Sequence, residues 1–291
     1  MSLLKYKKNN FSQNGEDGII EEIINRLGKN SDKSFCEFGA WDGIYLSNCY
    51  NLLLNASFKG LLIEGNKNKF IDLKKNLEKK NTILVNKYVD YEGANLLDNI
   101  LESNNFKIDF DILSIDIDGN DYHVFESLNK FRPKIIIIEF NPTIPNDVEF
   151  IQVKNNKINQ GSSALSILNL AKKKGYSLIC ATHCNLFFVE KGFKEIIIGD
   201  NFFSINDFVD DEKYKNYIFY GFDGTIFTSK KIALPKHNNL SLKINQIPRI
   251  FRGLPSEFGT LKKIFFASYL FYHNPIKYLS NIKKYLKLIF Q

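Results

Sequence analysis

The chain has 291 residues, 44% apolar and 24% charged, close to the globular average, which excludes a fibre or a disordered tail protein. Its 39 Lys and Arg against 32 Asp and Glu give a net charge of +7, and four cysteines, Cys36, Cys49, Cys180 and Cys184, are too few for a disulfide scaffold. No apolar run approaches the roughly 18 residues of a membrane span, and the first ten residues lack a signal-peptide core, so the expected address is cytoplasmic.

The first two hundred residues alternate between strand and helix patterns. After Ser12, a candidate N-cap, apolar residues at helical spacing predict a helix over 18–27, ended by Gly28. A buried-type strand over 34–38 runs into Gly39-Ala-Trp-Asp-Gly43. A helix over 48–54 precedes a second strand, 60–64, ending on Glu64, and an amphipathic helix over 68–80 precedes a third, 82–89, closing on Asp90. A helix over 95–102 leads to a fourth strand, 110–115, ending at Asp116-Ile-Asp118-Gly119. A helix over 122–128 leads to a fifth strand, 134–139. Continuous apolar strands between amphipathic helices predict an α/β fold with a parallel, Rossmann-like sheet covered on both faces. A helix over 163–174 is then followed by strands 176–181 and 186–190, too close for a crossover and therefore an antiparallel hairpin.

Beyond Lys230 the rhythm stops and the charge changes. From there onward twelve Lys and Arg stand against one acid, Glu257, whereas residues 1–229 hold 27 basic and 31 acidic residues. The reading is a main domain over 1–229 and a basic, aromatic-rich, helical extension over 230–291.

In an open parallel sheet, ligands bind beyond the carboxyl ends of the strands near the reversal of strand order. The residues there are Glu37 to Gly43, Glu64 to Asn66, Asp90, Asp116 to Asp121 and Glu139 to Asn141, so all five ends carry an acid. A dinucleotide loop would read Gly-x-Gly-x-x-Gly, whereas the first turn here reads Glu-Phe-Gly-Ala-Trp-Asp-Gly. Acids repel a pyrophosphate but suit a cofactor bearing an ammonium and a sulfonium, which points to S-adenosylmethionine.

Several motifs together resemble the FkbM-like branch of the class I S-adenosylmethionine-dependent methyltransferases. They are Ser12-Gln-Asn-Gly-Glu-Asp17, Glu37-Phe-Gly-Ala-Trp-Asp-Gly43, Ser47-Asn48, Gly60-Leu-Leu-Ile-Glu64 and Ser114-Ile-Asp-Ile-Asp-Gly119, and the resemblance spans residues 11–190. It implies a seven-stranded sheet whose last strand is antiparallel, and methyl transfer, often to a hydroxyl of a sugar, glycan or natural-product precursor. By position it implies that Glu37, Gly39, Ala40 and Gly43 line the methionine end of the cofactor. Glu64 then holds the ribose, Asp90 lies beside the adenine, Asp116 closes the methionine side, and Asn48 and Asn66 belong to the same cofactor-binding set. Gln13 and Glu16 would cover the site from the N-terminal helix.

Methyl transfer needs an aligned acceptor and a group that takes its proton. The candidate catalytic residues are His123, one turn past Asp118, together with Asp116 and Asp121; His183 in the hairpin turn is the alternative histidine. Asp116, Asp118, Glu139 and Asn141 form an all-oxygen set suited to magnesium or manganese, which would orient the acceptor and lower its pKa. The alternative is that Asp116 serves the cofactor and Asn141 caps a turn before Pro142. Cys180-x-x-x-Cys184 beside His183 lacks a second ligand pair, so strand cysteines are a better reading than zinc. Cys36 reads as core. Trp41 either walls the acceptor pocket or packs over the strand end.

In the extension, Pro275 divides 261–290 into two helical stretches, and in the second Ile276, Leu279, Ile282, Leu286 and Ile289 recur at helical spacing between lysines. Such a helix suits anionic lipid at the inner face of a membrane, a homo-oligomer contact, or packing on its own domain. Nucleic acid is disfavoured because no recognition motif accompanies the lysines. The expected function is O-methylation of a sugar or glycan precursor for a capsule, lipopolysaccharide or similar polysaccharide, with or without a phosphate. The alternatives are a non-catalytic cofactor- or glycan-binding module and a nicotinamide-dependent oxidoreductase, the latter disfavoured by the missing glycine fingerprint.

Overall fold

The computed structural model describes residues 2–54, 57–212, 215–234, 240–241, 247–273 and 275–280. The chain divides into two compact units, 1–215 and 216–291. The division falls before the charge change at Lys230 because the intervening residues close into a hairpin of their own, β8 (Ile218–Tyr220) against β9 (Ile226–Thr228).

The first unit holds seven strands: β1 (Ser34–Phe38), β2 (Lys59–Ile63), β3 (Thr82–Val85), β4 (Ile112–Ile115), β5 (Ile135–Glu139), β6 (Tyr176–Ala181) and β7 (Asn185–Glu190). Their order across the sheet is β3-β2-β1-β4-β5-β7-β6, and β7 alone runs antiparallel to its neighbours. The seven-stranded, mostly parallel α/β sheet expected from the sequence is therefore present, with its hairpin at the edge. Helices α1 (Glu16–Leu27), α2 (Lys67–Leu77), α3 (Leu97–Ser103), α4 (Asp121–Ser127) and α5 (Ala164–Lys173) supply the crossovers and cover.

Alternate strand residues feed two separate cores. Cys36, Phe38, Leu113, Ile115, Ile136 and Ile138 face the side covered by Leu101, Phe125 and Ile167 of α3, α4 and α5. Phe35, Leu62, Ile112, Ile135 and Ile137 face Ile19, Ile23, Leu73 and Leu77 of α1 and α2. Burial on both faces is why these strands read as unbroken apolar runs.

At the amino ends of the strands a charge is buried. Lys134 Nζ lies 2.6 Å from Asp111 Oδ1, and Asp111 Oδ2 also accepts the Ser31 hydroxyl at 2.6 Å and the Lys33 N–H at 2.8 Å. This pair ties the starts of β4 and β5 to the loop entering β1, on the edge away from the strand ends that carry the acids.

Three local expectations change. Ser12 is not the N-cap of α1; Gly15 holds that position in a left-handed conformation, and Ser12 instead donates its hydroxyl to Asp17 Oδ2 at 2.8 Å. The predicted helix over 48–54 is a short 3-10 turn, Tyr50–Leu54. The third strand stops at Val85 rather than 89, and Asn86 Nδ2 donates to the carbonyl of Glu64 at 2.7 Å, so the chain leaves the ladder there.

The second unit contains the β8–β9 hairpin, a two-residue pairing of Ala233–Leu234 with Leu240–Ser241, and helices α6 (Thr260–His273) and α7 (Pro275–Ser280). Pro275 opens the second helix, as its fixed φ permits. Ile282, Leu286 and Ile289 lie outside the described residues. No described helix is long and apolar enough to cross a membrane.

Candidate active site

Strand order reverses between β1 and β4, so their carboxyl ends part around a crevice. A cleft of about 790 Å³ opens there, walled by Glu37 to Trp41 after β1, Ile63 to Gly65 after β2, Lys87 to Val89, and Asp116 to Asp118 after β4. The turn after β1 depends on Gly39, at φ +74°, whose α-carbon lies so close to the Asp116 carbonyl that a side chain would overlap it. That contact brings the ends of β1 and β4 together at the floor of the cleft.

The acids are held by nearby donors. Glu37 is buried and accepts the Ser47 hydroxyl at 2.6 Å and the Asn48 N–H at 2.8 Å, so the Ser-Asn pair serves this carboxylate. Burial pushes the Glu37 carboxyl above its usual range, partly offset by those hydrogen bonds. Asn48 Nδ2 reaches Ser114 Oγ at 3.1 Å and fastens the same loop to β4. Glu64 accepts the Trp41 N–H on Oε2 at 2.8 Å and the Asn66 N–H on Oε1 at 2.7 Å, which fixes both oxygens at the cleft wall. Opposite, the Tyr88 ring lies against Gly65, where a methyl group would overlap it.

A strap between β5 and α5 closes one side with Asn156, Ile158 and Asn159. A chain of amides orders it. Gln152 Oε1 accepts the N–H groups of Gln160 and Gly161, Gln152 Nε2 donates to Asn120, Asn120 donates to Asn156 at 2.7 Å, and Asn156 donates to Asp90 Oδ2 at 3.2 Å.

At the cleft edge, oxygens of Asp116, Asp118 and Glu139 lie within 4.8 Å of one another, among the described residues the one such group of His, Cys, Asp or Glu. An all-carboxylate set fits a hard divalent cation.

Residues 94–178, from α3 into β6, match the family described as Methyltransferase FkbM domain. Over those residues the chain is similar to FkbM methyltransferase domains. Distant likenesses exist among solved structures. An S-adenosylmethionine-dependent methyltransferase from Aquifex aeolicus is 11% identical, covering 58% of this chain and 86% of its own, with a TM-score of 0.35. A putative caffeoyl-CoA O-methyltransferase from Staphylococcus aureus is 14% identical, covering 59% and 83%, with a TM-score of 0.39. A putative methyltransferase of the same class from Listeria monocytogenes is 9% identical, covering 58% and 96%, at 0.37. These are too remote to bear on activity. No curated protein matches the chain.

Of the residues expected to serve the site, Glu37, Gly39, Ala40, Glu64 and Asp116 line the cleft. The others do not. Glu16 is fully buried and accepts the Thr182 hydroxyl at 2.6 Å and Asn14 N–H at 2.6 Å, tying α1 to the β6–β7 turn. Gln13 is exposed away from the cleft. Gly43 packs on α2, where a Cβ would stand 2.6 Å from Leu77 Cδ1. Asn66 caps α2 through the N–H groups of Asn68 and Lys69, and Asn48 acts behind Glu37. Asp90 stands just behind Tyr88 and Val89, held by Asn156.

Two catalytic candidates lie outside the cleft lining. His123 is buried, donates Nε2–H to the Gln152 carbonyl at 2.6 Å and meets the edges of Tyr91 and Tyr122, so it supports the strap rather than facing the cleft. Asp121 is buried and accepts the N–H groups of Ile117 and Gly119 at 2.9 and 2.8 Å, closing the turn after β4. His183 is exposed and lies outside the cleft lining. Asn141 turns to its own loop, accepting from Thr143 and donating to the Gln160 carbonyl at 2.7 Å. Cys180 and Cys36 are buried strand residues whose thiols burial pushes upward, Cys180 to about 12. Trp41 lines the cleft, with Lys69 Nζ 4.2 Å over its ring.

Tyr45, Lys87, Tyr88 and the strap residues Asn156 and Asn159 were not singled out by sequence. The available signal was the stretch of more than twenty residues between β5 and α5, longer than structural loops usually run.

Proposed function

We propose that the chain transfers the S-adenosylmethionine methyl group to a hydroxyl oxygen of a sugar or glycan precursor. The observation that carries the reading is the set of three cleft carboxylates, Glu37, Glu64 and Asp116, two of them fixed by hydrogen-bond donors at the point where strand order reverses. In a crevice shielded from water their field favours a ligand bearing an ammonium and a sulfonium. Glu64, with one lone-pair direction on each oxygen already used, has the remaining pair to accept both hydroxyls of a ribose, while Tyr88 offers its ring as a wall for the base. Amide side chains on the opposite side, from Asn120, Asn156 and Asn159, suit a hydroxyl-rich acceptor.

In the transfer, the acceptor oxygen forms a bond to the methyl carbon as the carbon–sulfur bond breaks, leaving a neutral thioether. The acceptor proton passes to a carboxylate, and Asp116 is the one catalytic candidate at the cleft. In the alternative use of Asp116, exclusive of its taking the proton, Asp116, Asp118 and Glu139 would hold magnesium or manganese. Such an ion, when bound, would supply Lewis acidity that lowers the acceptor pKa. Calorimetric titration with S-adenosylhomocysteine, with NAD as control, should give micromolar binding of the first alone. Incubation with sugar and sugar-nucleotide acceptors should then add one methyl group, and Asp116→Ala should abolish the transfer. Binding of NAD alone, or full activity of the variant, would overturn the reading.

A further inference from the structure

The second unit carries an apolar surface that methyl transfer does not use. The exposed residues of α6 include Leu261, 74% exposed, Ile264, Phe265, 63% exposed, Ser268 and Tyr272, 81% exposed, beside Thr260, Phe271 and His273. The spacing of Ile264, Phe265, Ser268 and Tyr272, three, four, seven and eleven residues from Leu261, places them on one stripe with it. The residues on the other side, Lys262, Phe266, Ala267, Tyr269 and Leu270, are half-buried or buried. A water-facing helix ordinarily carries polar residues on its exposed face, whereas α6 is apolar there as well as inward. Ile276 and Leu279 of α7 are also exposed, and in the β8–β9 hairpin Phe222 is 99% exposed.

The charge of the segment decides what can cover this stripe. Twelve Lys and Arg against one acid from Lys230 onward would set like charge against like in a pairing of two copies. A nucleic acid would satisfy the charge but leave Leu261, Ile264, Ile276 and Leu279 with nothing to stack on. An anionic bilayer satisfies both. Aliphatic and aromatic side chains enter the interface while lysines stay among the headgroups. We infer that the second unit docks the protein onto an anionic lipid surface through the exposed stripe of α6. The inference is independent of the methyl acceptor.

The test is flotation of the full chain with phosphatidylcholine vesicles and with vesicles containing about one-third phosphatidylglycerol. Partition should be at least about tenfold higher on the anionic vesicles and should fall with salt. The double variant Phe265→Glu/Tyr272→Glu changes only exposed side chains, so it should keep the parent's circular dichroism and melting temperature while binding anionic vesicles about a hundredfold more weakly. Equal partition of parent and variant would overturn the inference, as would failure of the parent to float. Retention of a single-stranded oligonucleotide without vesicle binding, or a dimer that the variant dissolves without vesicle binding, would assign the stripe to those partners instead.

Discussion

Replacing Gly39 by alanine adds a methyl group where the ends of β1 and β4 approach most closely, and its consequences can be worked from the geometry. The new Cβ would overlap the Asp116 carbonyl oxygen and stand 2.9 Å from its carbon, and both are backbone atoms that no rotamer can move. The residue also sits at φ +74°, a conformation that costs an L-residue about 1–2 kcal/mol. Gly93 isolates that second contribution, because it has the same φ and nothing within 4 Å of a Cβ. Gly93→Ala should therefore destabilise by about 1–2 kcal/mol. Gly39→Ala should cost about 2–5 kcal/mol once the overpacking is added. Since Asp116 must move with its carbonyl, S-adenosylhomocysteine should bind the Gly39 variant at least about tenfold more weakly and the Gly93 variant as well as the parent. Urea unfolding and calorimetry on the three proteins read both quantities. Equal destabilisation by the two substitutions would refute the strand-end contact. Unchanged affinity in Gly39→Ala would refute the placement of the cofactor in this cleft.

Other residues make separable predictions. His123→Phe should lose about 1–2 kcal/mol of stability through the unpaired Gln152 carbonyl yet keep methyl transfer within about threefold, and a loss of a hundredfold or more would restore the histidine as a base. Because burial raises the Glu37 pKa above 4.5, its contribution to stability is full below that pH and declines as pH rises through the folded value. Glu37→Gln should flatten this part of the pH dependence of unfolding and weaken cofactor binding, and an unchanged profile would count against a buried carboxyl. Asp111→Asn leaves the buried Lys134 ammonium only Asp32, 3.8 Å away, as a charge partner and should cost up to about 3 kcal/mol, with much of the loss regained by adding Lys134→Met. Recovery is read from urea midpoints, and none on adding the second change would refute the pairing argument.

The strands and their acidic ends were legible in the sequence because both are local. A strand buried on both faces must be a run of apolar residues, and Glu37, Glu64, Asp116 and Glu139 follow such runs directly. The short gap between β6 and β7 likewise left only an antiparallel pairing. The direction of each carboxylate was not local. Glu16, Asp17 and Glu37 lie in motif positions and Asp121 just past one, yet three of the four spend their oxygens inside the fold, on Thr182, on the loop of residues 10–12 and on the turn after β4. Which N–H groups lack an acceptor is settled only when distant segments meet, and an acid with enough donors beside it turns inward whatever its motif. The same holds for His123, whose place at a helical turn past Asp118 suggested a base until the strap laid the Gln152 carbonyl over it. The sequence by itself determined the sheet, its hairpin edge and the row of acids, since periodicity and strand ends are properties of neighbouring residues. Tertiary structure decided which of those acids face the cleft, because that depends on hydrogen-bond partners up to 169 positions away along the chain.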